Sequence, residues 1–160
     1  MRTGIGYDMH PLEAGRKLVI GGVVIPYENG LEGWSDGDVL VHAVMDALLG
    51  AAAMGDIGVH FPPGREEFRG ISSLELLGRV RDTLERAGWR AGNIDATVIA
   101  ERPKLRDYIE PMRNNIAAAL DIDIAAVSVK ASTNNGIGDI GSGKGIAAIA
   151  IATIDKRGTA

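Results

Sequence analysis

The sequence predicts an α+β fold, a two-layer sandwich in which helices cover a mixed β-sheet. Short β-branched runs lie near both ends of the chain and in its middle, and longer segments between them carry apolar residues at helical spacing. No segment repeats another, so the order of strands and helices favours a single sandwich. With 160 residues, of which 46% are hydrophobic, the chain is long enough to bury one core, and we expect one domain over residues 1–160.

The N-terminal elements are predicted to be strands. "TGIGYDMH" indicates a short strand that ends near His10. "KLVIGGVVIP" contains two β-branched runs separated by Gly21 and Gly22, which is typical of a hairpin.

Two amphipathic helices follow. Ser35 and Asp38 resemble a capping box, and good helix formers continue from there to Gly55. Ser72 and Glu75 form a second such pattern. The apolar residues of the second helix recur every three or four positions: Leu74, Leu77, Val80, Leu84 and Ala87.

The second half of the chain alternates between strands and one helix. "NIDATVIAE" has the alternation of a strand, and residues 108–120 are predicted to be helical, with Pro111 in the first turn or at a kink. "VSVKAS" and "GIAAIAIATI" predict two further strands.

The last predicted strand has two unlike faces. Ile149 and Ile151 lie on one face, and Ala148, Ala150 and Ala152 lie on the other. Because an alanine face fills little space, we expect another backbone to approach it closely, and we take this as support for an oligomer.

Composition excludes several classes of function. The net charge is -4 and no long basic run occurs, so no nucleic-acid partner is expected. The chain has no cysteine, which excludes disulfides and Cys-ligated zinc. "MRTGIGYDMH" lacks the pattern of a signal peptide, and the longest apolar run is about half of a membrane span. We therefore expect a cytoplasmic protein with no membrane partner.

"GDIGSGKG" is close to a phosphate-binding P-loop. Gly138, Gly143 and Lys144 match its spacing, but Gly145 stands where a Ser or Thr hydroxyl would bind magnesium. A strand-like run follows, whereas a P-loop leads into a helix whose N-terminus holds phosphate. The pattern therefore does not indicate a P-loop hydrolase.

Two histidines and a carboxylate form a candidate metal site. Asp8 and His10 are two residues apart on a predicted strand and so share a face. His42 lies on the first helix, in one polar stripe with Asp38 and Asp46. Asp8, His10 and His42 would leave one open position on zinc, as in catalytic sites. The same spacings also fit a hydrogen-bonded core histidine beside a chance Asp-X-His pair.

Two loops of small residues flank the first helix. "WSDGD" and "GDIGVHF" expose backbone N–H groups and carboxylates that suit sugar hydroxyls or cations. Helix capping and ordinary turns explain the same residues equally well. His60 has no partner in the sequence and is predicted to be a surface loop residue.

Four segments resemble the successive motifs of the 2-C-methyl-D-erythritol 2,4-cyclodiphosphate synthase family: "GIGYDMHPL", "SDGDVLVHAVMDALLGAAAMGDIGVHFP", "ERPKL" and "VKASTNNGIGDIGSGKGIA". The resemblance covers essentially the whole chain. It implies a phosphorus–oxygen lyase of non-mevalonate isoprenoid biosynthesis, which cyclises 4-diphosphocytidyl-2-C-methyl-D-erythritol 2-phosphate and releases CMP. It also implies a homotrimer with active sites between subunits.

The resemblance implies roles for matching residues. Zinc, or another divalent transition metal, would be held by Asp8, His10 and His42. The implied catalytic residues are Trp34, Ser35 and Thr133. The implied substrate-binding residues are Asp8, His10, Ser35, Asp46, Asp56, Gly58, Ala100, Pro103, Lys104, Leu105, Ser132, Thr133 and Asn135.

The chemistry of the family requires no protein nucleophile. The 2-phosphate of the substrate attacks its own β-phosphorus, so the protein must position the groups and neutralise phosphoryl charge. Metal ions and hydroxyl donors meet that need.

The chain also departs from the family pattern. Trp34 stands where the family commonly has His, and Pro63 and Arg65 replace acidic residues. Asp139 and Ser142 replace a Phe and an Arg that line a cavity on the trimer axis, where the family can hold an isoprenoid diphosphate.

Asn135 replaces a Glu that ligates a second divalent ion, Mg²⁺ or Mn²⁺. Its amide oxygen brings no charge, so we expect weaker binding of that ion. The departures at Trp34 and Asn135 leave an alternative open: a noncatalytic trimeric zinc protein that binds a cytidine nucleotide or a diphosphate ligand.

Overall fold

The computed structural model describes residues 1–156; residues 157–160 of the predicted domain lie outside the described part. A five-stranded sheet has the order β4-β1-β7-β5-β6, and β2 and β3 form a separate hairpin. Only the β5–β6 pair of the larger sheet is parallel, so the sheet is mixed, as predicted. The strands are β1 (Arg2–Ala14), β2 (Leu18–Ile20), β3 (Val23–Ile25), β4 (Asn29–Leu31), β5 (Trp89–Ile99), β6 (Val127–Ser132) and β7 (Gly145–Lys156).

Three long helices form the second layer. Helix α1 packs on β1 and β7, α3 on β5, and α4 on β6, which confirms the predicted α+β sandwich. No described helix is long and apolar enough to cross a membrane. The helices are α1 (Val39–Ala51), α2 (Ile57–His60), α3 (Ser73–Arg86), α4 (Ile109–Leu120) and α5 (Gly138–Gly141).

Small residues let α1 lie very close to the sheet. A Cβ atom at Gly6 would be 2.0 Å from the carbonyl oxygen of Ala43, and one at Gly4 would be 2.1 Å from that of Ala47. Gly6 pairs with Ala150 on the alanine face of β7. The close backbone approach expected at this face is therefore confirmed. The approaching backbone is the chain's own helix, so the alanine face gives no support for an oligomer.

The opposite face of β1 and β7 is apolar and exposed. Ile5 pairs with Ile151, and Tyr7 pairs with Ile149. These four residues and Met9 are between 38% and 70% exposed, and we call them the outer sheet face. An exposed apolar patch of this kind is a candidate interaction surface.

The predicted capping box at Ser35 is wrong. Helix α1 begins at Val39, and its N-cap is Asp38, whose carboxylate accepts a hydrogen bond from the Val41 amide. Asp38 is fully buried, and the same carboxylate also accepts hydrogen bonds from the amides of the β2–β3 turn, which satisfy its oxygens. It therefore holds the hairpin against α1. The helix ends at Ala51, before the predicted Gly55.

The second capping pattern is only half right. Ser72 is the N-cap residue of α3, but its side chain makes no capping hydrogen bond. Asp36, from another loop, accepts a hydrogen bond from the Ser73 amide instead. Pro111 lies in the first turn of α4, as predicted.

Several short elements were not predicted. Strand β1 runs past His10 to Ala14 because its end pairs with β4. His60 lies in the short helix α2 and is half-buried, with its Nε2 atom 2.9 Å from the Met54 carbonyl oxygen, so the prediction of a surface loop residue is wrong. Helix α5 precedes Lys144 and β7 begins at Gly145, which confirms the rejection of the P-loop.

Candidate active site

The metal cluster forms where α1 lies closest to β1. Asp8 and His10 follow Gly6 at intervals of two along the strand, so they share its face toward α1. His42 immediately precedes Ala43, the residue whose carbonyl faces Gly6. The glycine contact therefore brings His42 against Asp8.

Three potential ligand atoms converge in this cluster. Asp8 Oδ2 lies 2.9 Å from His10 Nε2 and 2.9 Å from His42 Nδ1. The two ring nitrogens are 3.3 Å apart. Ligands about 2.0–2.2 Å from a tetrahedral zinc ion lie about 3.3–3.6 Å from each other. A carboxylate and two imidazoles at these distances therefore fit a zinc ion with small shifts, and the cluster could hold a metal ion.

The charges within the cluster are coupled. Burial raises the pKa of Asp8, but hydrogen bonds with His10 and His42 outweigh burial and hold that pKa well below its usual range. Burial lowers the pKa of His10, but the hydrogen bond and charge of Asp8 outweigh it, so the pKa of His10 is raised. The Asp8 carboxylate therefore favours positive charge beside it, on a protonated histidine or on a metal ion.

The cluster opens into a cavity of about 270 Å³, which we call the metal pocket. Polar groups lie at one end and apolar side chains form the rest of its wall. Its lining residues are Asp8, His10, Trp34, Ser35, His42, Met45, Ile57, Gly58, Phe61, Pro63, Phe68 and Leu76. The apolar wall was not predicted, because its residues come from separate elements and have no common sequence signal.

Trp34 and Ser35 both lie at this pocket. The Trp34 indole Nε1–H donates to the Arg65 carbonyl oxygen at 2.8 Å, and the Trp34 carbonyl accepts from the Gly70 amide. Trp34 therefore holds the segment that covers the pocket. The Ser35 hydroxyl oxygen lies 3.2 Å from His42 Nε2.

The two predicted aspartates organise helix α2. Asp46 Oδ1 accepts a hydrogen bond from the Ile57 amide at 2.8 Å, and burial raises the pKa of Asp46. Asp56 is the N-cap of α2 and accepts from the Val59 amide at 3.1 Å. Gly58, which lies between Ile57 and Val59 in α2, lines the metal pocket.

The remaining predicted residues, apart from Asn135, surround a second cavity of about 420 Å³, which we call the second pocket. It lies where β5 and β6 end. Its lining includes Ala100, Pro103, Lys104, Leu105, Ser132 and Thr133, together with Glu101, Arg106, Ile109 and Ala131. It shares no lining residue with the metal pocket.

Asn135 lies in the loop after Thr133. Its backbone has a positive φ of 52°, and its Oδ1 accepts a hydrogen bond from the Thr133 hydroxyl at 3.2 Å. Glu101 reaches the same loop, with its Oε2 3.4 Å from the Gly136 amide. Glu101 was not predicted as a site residue, since it is 34 positions from Asn135 in the chain.

Comparison with known proteins agrees with this arrangement. A protein of Alkaliphilus oremlandii named 2-C-methyl-D-erythritol 2,4-cyclodiphosphate synthase is 58% identical over 98% of this chain and 99% of its own length. A structure of such a synthase in a CDP-bound form is 30% identical, with a TM-score of 0.88 over 96% of this chain and 100% of the other. The Plasmodium falciparum IspF–CDP complex is 32% identical, with a TM-score of 0.85 over 98% and 97% of the two chains.

The family model described as "YgbB family" matches residues 1–155, nearly the whole of the described structure. The relatives at more than half identity share one name and cover almost the full chain. The chain therefore belongs to the YgbB family, the family of the 2-C-methyl-D-erythritol 2,4-cyclodiphosphate synthases.

Proposed function

We propose that this protein is a phosphorus–oxygen lyase that cyclises 4-diphosphocytidyl-2-C-methyl-D-erythritol 2-phosphate to 2-C-methyl-D-erythritol 2,4-cyclodiphosphate and releases CMP. The observation that carries the proposal is the cluster of Asp8, His10 and His42, with one side open to a pocket. Sequence identity above 50% with relatives of that name also supports the proposal.

In this proposal Asp8, His10 and His42 would hold zinc, which would supply positive charge to polarise a phosphoryl oxygen. Ser35 offers its hydroxyl beside the cluster as a hydrogen-bond donor to phosphate. Asp56 is exposed at the start of α2 and would accept hydrogen bonds from hydroxyl groups of the sugar or the erythritol, next to the Gly58 backbone. The apolar wall keeps water from the reacting phosphates.

The second pocket suits the cytidine half of the substrate. The CDP bound in two related structures supports a cytidine nucleotide as the ligand. Ala100 to Leu105 would surround the base, largely with backbone groups. The hydroxyls of Ser132 and Thr133 are exposed and would donate to the diphosphate, with Thr133 opposite the charge that develops as CMP leaves.

In this proposal both pockets serve one substrate, as they could in a homotrimer. Register across the sheet places Ser132 level with Met9, the neighbour of Asp8, with two strands between. Three strand spacings amount to about 14 Å. One diphosphate is too short to reach both the metal cluster and Ser132 of the same subunit. We therefore propose that the metal pocket of one subunit faces the second pocket of its neighbour, with the outer sheet faces packed together.

The role of a second divalent ion depends on Asn135. Its side chain can coordinate Mg²⁺ or Mn²⁺ through oxygen but adds no negative charge. We propose that the substrate phosphates hold this ion for the most part and that its affinity is low.

The experiment that tests the function is phosphorus NMR of the reaction with the diphosphocytidyl substrate. A cyclic diphosphate together with CMP is expected, and the His42→Ala variant should give neither product. CMP together with an acyclic bisphosphate, or free phosphate from the 2-phosphate, would indicate a hydrolase and contradict the proposal.

A second candidate is a noncatalytic trimeric zinc protein that binds a cytidine nucleotide. The observation that favours it is the Trp34 indole N–H, which already donates to the Arg65 carbonyl oxygen. In the same spectra, this candidate predicts unchanged substrate and tight binding of CDP.

A further inference from the structure

The two ring nitrogens of His42 have different surroundings. Nδ1 faces the cluster, 2.9 Å from Asp8 Oδ2. Nε2 points the other way, 2.9 Å from the hydroxyl oxygen of Ser73. His42 and Ser73 are 5% and 0% exposed, so water does not compete for this contact. Ser73 is the first residue of α3 and has no role in the proposed reaction.

Asp36 determines the direction of the hydrogen bond between His42 and Ser73. The Ser73 hydroxyl donates to Asp36 Oδ1 at 2.5 Å, and the Ser73 amide donates to Asp36 Oδ2 at 2.9 Å. A carboxylate can only accept, and a hydroxyl has a single hydrogen. The hydrogen of Ser73 is therefore committed to Asp36, and its oxygen can only accept from His42.

It follows that a neutral His42 ring, the form that binds a metal ion, carries its hydrogen on Nε2. The lone pair of Nδ1 is then free and directed at Asp8 and His10, as a metal ligand requires. Ser35 is a weaker partner of the same nitrogen, since its hydroxyl oxygen is at 3.2 Å and only half-buried.

We propose that Ser73 and Asp36 are positioning residues of the metal centre, which orient the His42 ring and hold its Nδ1 lone pair toward the ion. This inference rests on the proposed zinc site. Partners of this kind behind a metal ligand typically contribute about 10- to 100-fold to metal affinity.

A purely structural role is the competing explanation. Asp36 also accepts from the first amide of α3, and the Asp36 amide donates to the Ile71 carbonyl, so the contacts join two loops. Loss of stability in a variant would not separate the two roles. Zinc affinity and the state of the His42 ring proton do separate them.

The first measurement is zinc affinity by competition with a chelator, without substrate. Ser73→Ala should weaken zinc binding about 10-fold or more. Ser73→Thr keeps the hydroxyl and should restore affinity. Ser72→Ala is the matched control, because this exposed neighbour makes no capping bond, and it should bind zinc like the wild type.

The second measurement follows the Nε2–H proton of His42 by NMR of the zinc-loaded protein labelled with ¹⁵N. The wild type and Ser73→Thr should show a signal protected from exchange with water. In Ser73→Ala the signal should broaden or disappear. A structural role at the start of α3 would leave this signal unchanged.

Asp36→Asn provides a second test if Ser73→Ala folds poorly. The new amide group can donate to the Ser73 oxygen, which releases the serine hydrogen toward His42 Nε2 and opposes the required ring state. Zinc binding should therefore weaken although Ser73 is present. Unchanged zinc affinity in both Ser73→Ala and Asp36→Asn overturns the inference but leaves the proposed function standing. A wild type that binds no zinc overturns both.

Discussion

At the scale of single residues, the metal cluster combines ligands that are close in sequence with one that is distant. Asp8 and His10 were predicted to share a face, and the structure places them together beside His42. The raised pKa of His10 has a consequence for metal binding, because the lone pair that binds zinc is the one that a proton occupies.

Zinc affinity should therefore depend on pH. Asp8 raises the pKa of His10 above 6.5 in the metal-free protein, so protons begin to compete with zinc at a pH above that value. We expect the zinc dissociation constant to be constant at high pH and to rise as pH falls through the raised pKa. Chelator competition from about pH 8 to pH 5 measures this. A constant affinity down to pH 5 would contradict the assignment of His10 as a ligand.

Asn135 supports a prediction about the second ion. Replacing Asn135 by Glu adds a charged ligand, so the magnesium concentration for half-maximal rate should fall about 10-fold or more. Glu101 lies beside the same loop, and its carboxylate could supply the charge that Asn135 lacks. If it does, the Glu101→Gln variant should require more magnesium than the wild type for half-maximal rate. A magnesium titration unchanged by Asn135→Glu would show that residue 135 does not ligate the ion.

At the scale of elements, the contact between α1 and β1 determines whether a site exists. The helix can deliver His42 to Asp8 only because Gly4 and Gly6 have no side chains. The alternation of small residues along β1 and β7 was visible in the sequence. The element that packs on these small residues was not visible in the sequence, since an alanine face suits a helix of the same chain as well as a neighbouring subunit.

Gly6→Ala should therefore disrupt both stability and metal binding. Its Cβ atom would overlap the Ala43 carbonyl, so the helix must move, and we expect a loss of about 1–3 kcal/mol or more in the free energy of unfolding. Zinc affinity should fall as well. Gly78→Ala is the control, because nothing lies within 4 Å of its added Cβ in α3 and stability should not decrease. Denaturant unfolding and zinc titration together measure these effects, and a Gly6→Ala protein that retains stability and zinc would refute this account.

At the scale of the whole molecule, the outer sheet face and the separation of the two pockets both favour an oligomer. One subunit leaves five large apolar side chains exposed on one side of its sheet. Its two pockets share no residue and lie across four strands of that sheet. Association would cover the apolar face and complete the site at the same time.

Sedimentation should show a trimer at micromolar concentration, and Ile151→Lys should convert it to a folded monomer without cyclase activity. A charge at this position, which is 46% exposed, is tolerated in a monomer but not in a buried interface. Val24→Lys is the control, since Val24 is also exposed but lies on the β2–β3 hairpin. A wild type that sediments as a stable monomer would contradict the proposed assembly.

The sequence by itself determined the types of the long elements and the shared face of Asp8 and His10. Both follow from the repeat of side chains along a strand or a helix, which is a local property. The motifs also sufficed to identify the family. The short elements β4, α2 and α5 were missed, because three or four residues carry too little periodic signal to be recognised.

Only the tertiary structure decided which polar groups support the site. Asp38 was predicted on a stripe with His42, yet its carboxylate is occupied by the β2–β3 turn. Asp36 and Ser73 are 37 positions apart and meet behind His42. Such contacts depend on how closely whole elements pack, as the glycines of β1 show for helix α1. The direction of a hydrogen bond depends in turn on every partner in the network, and those partners are neighbours only in the folded chain.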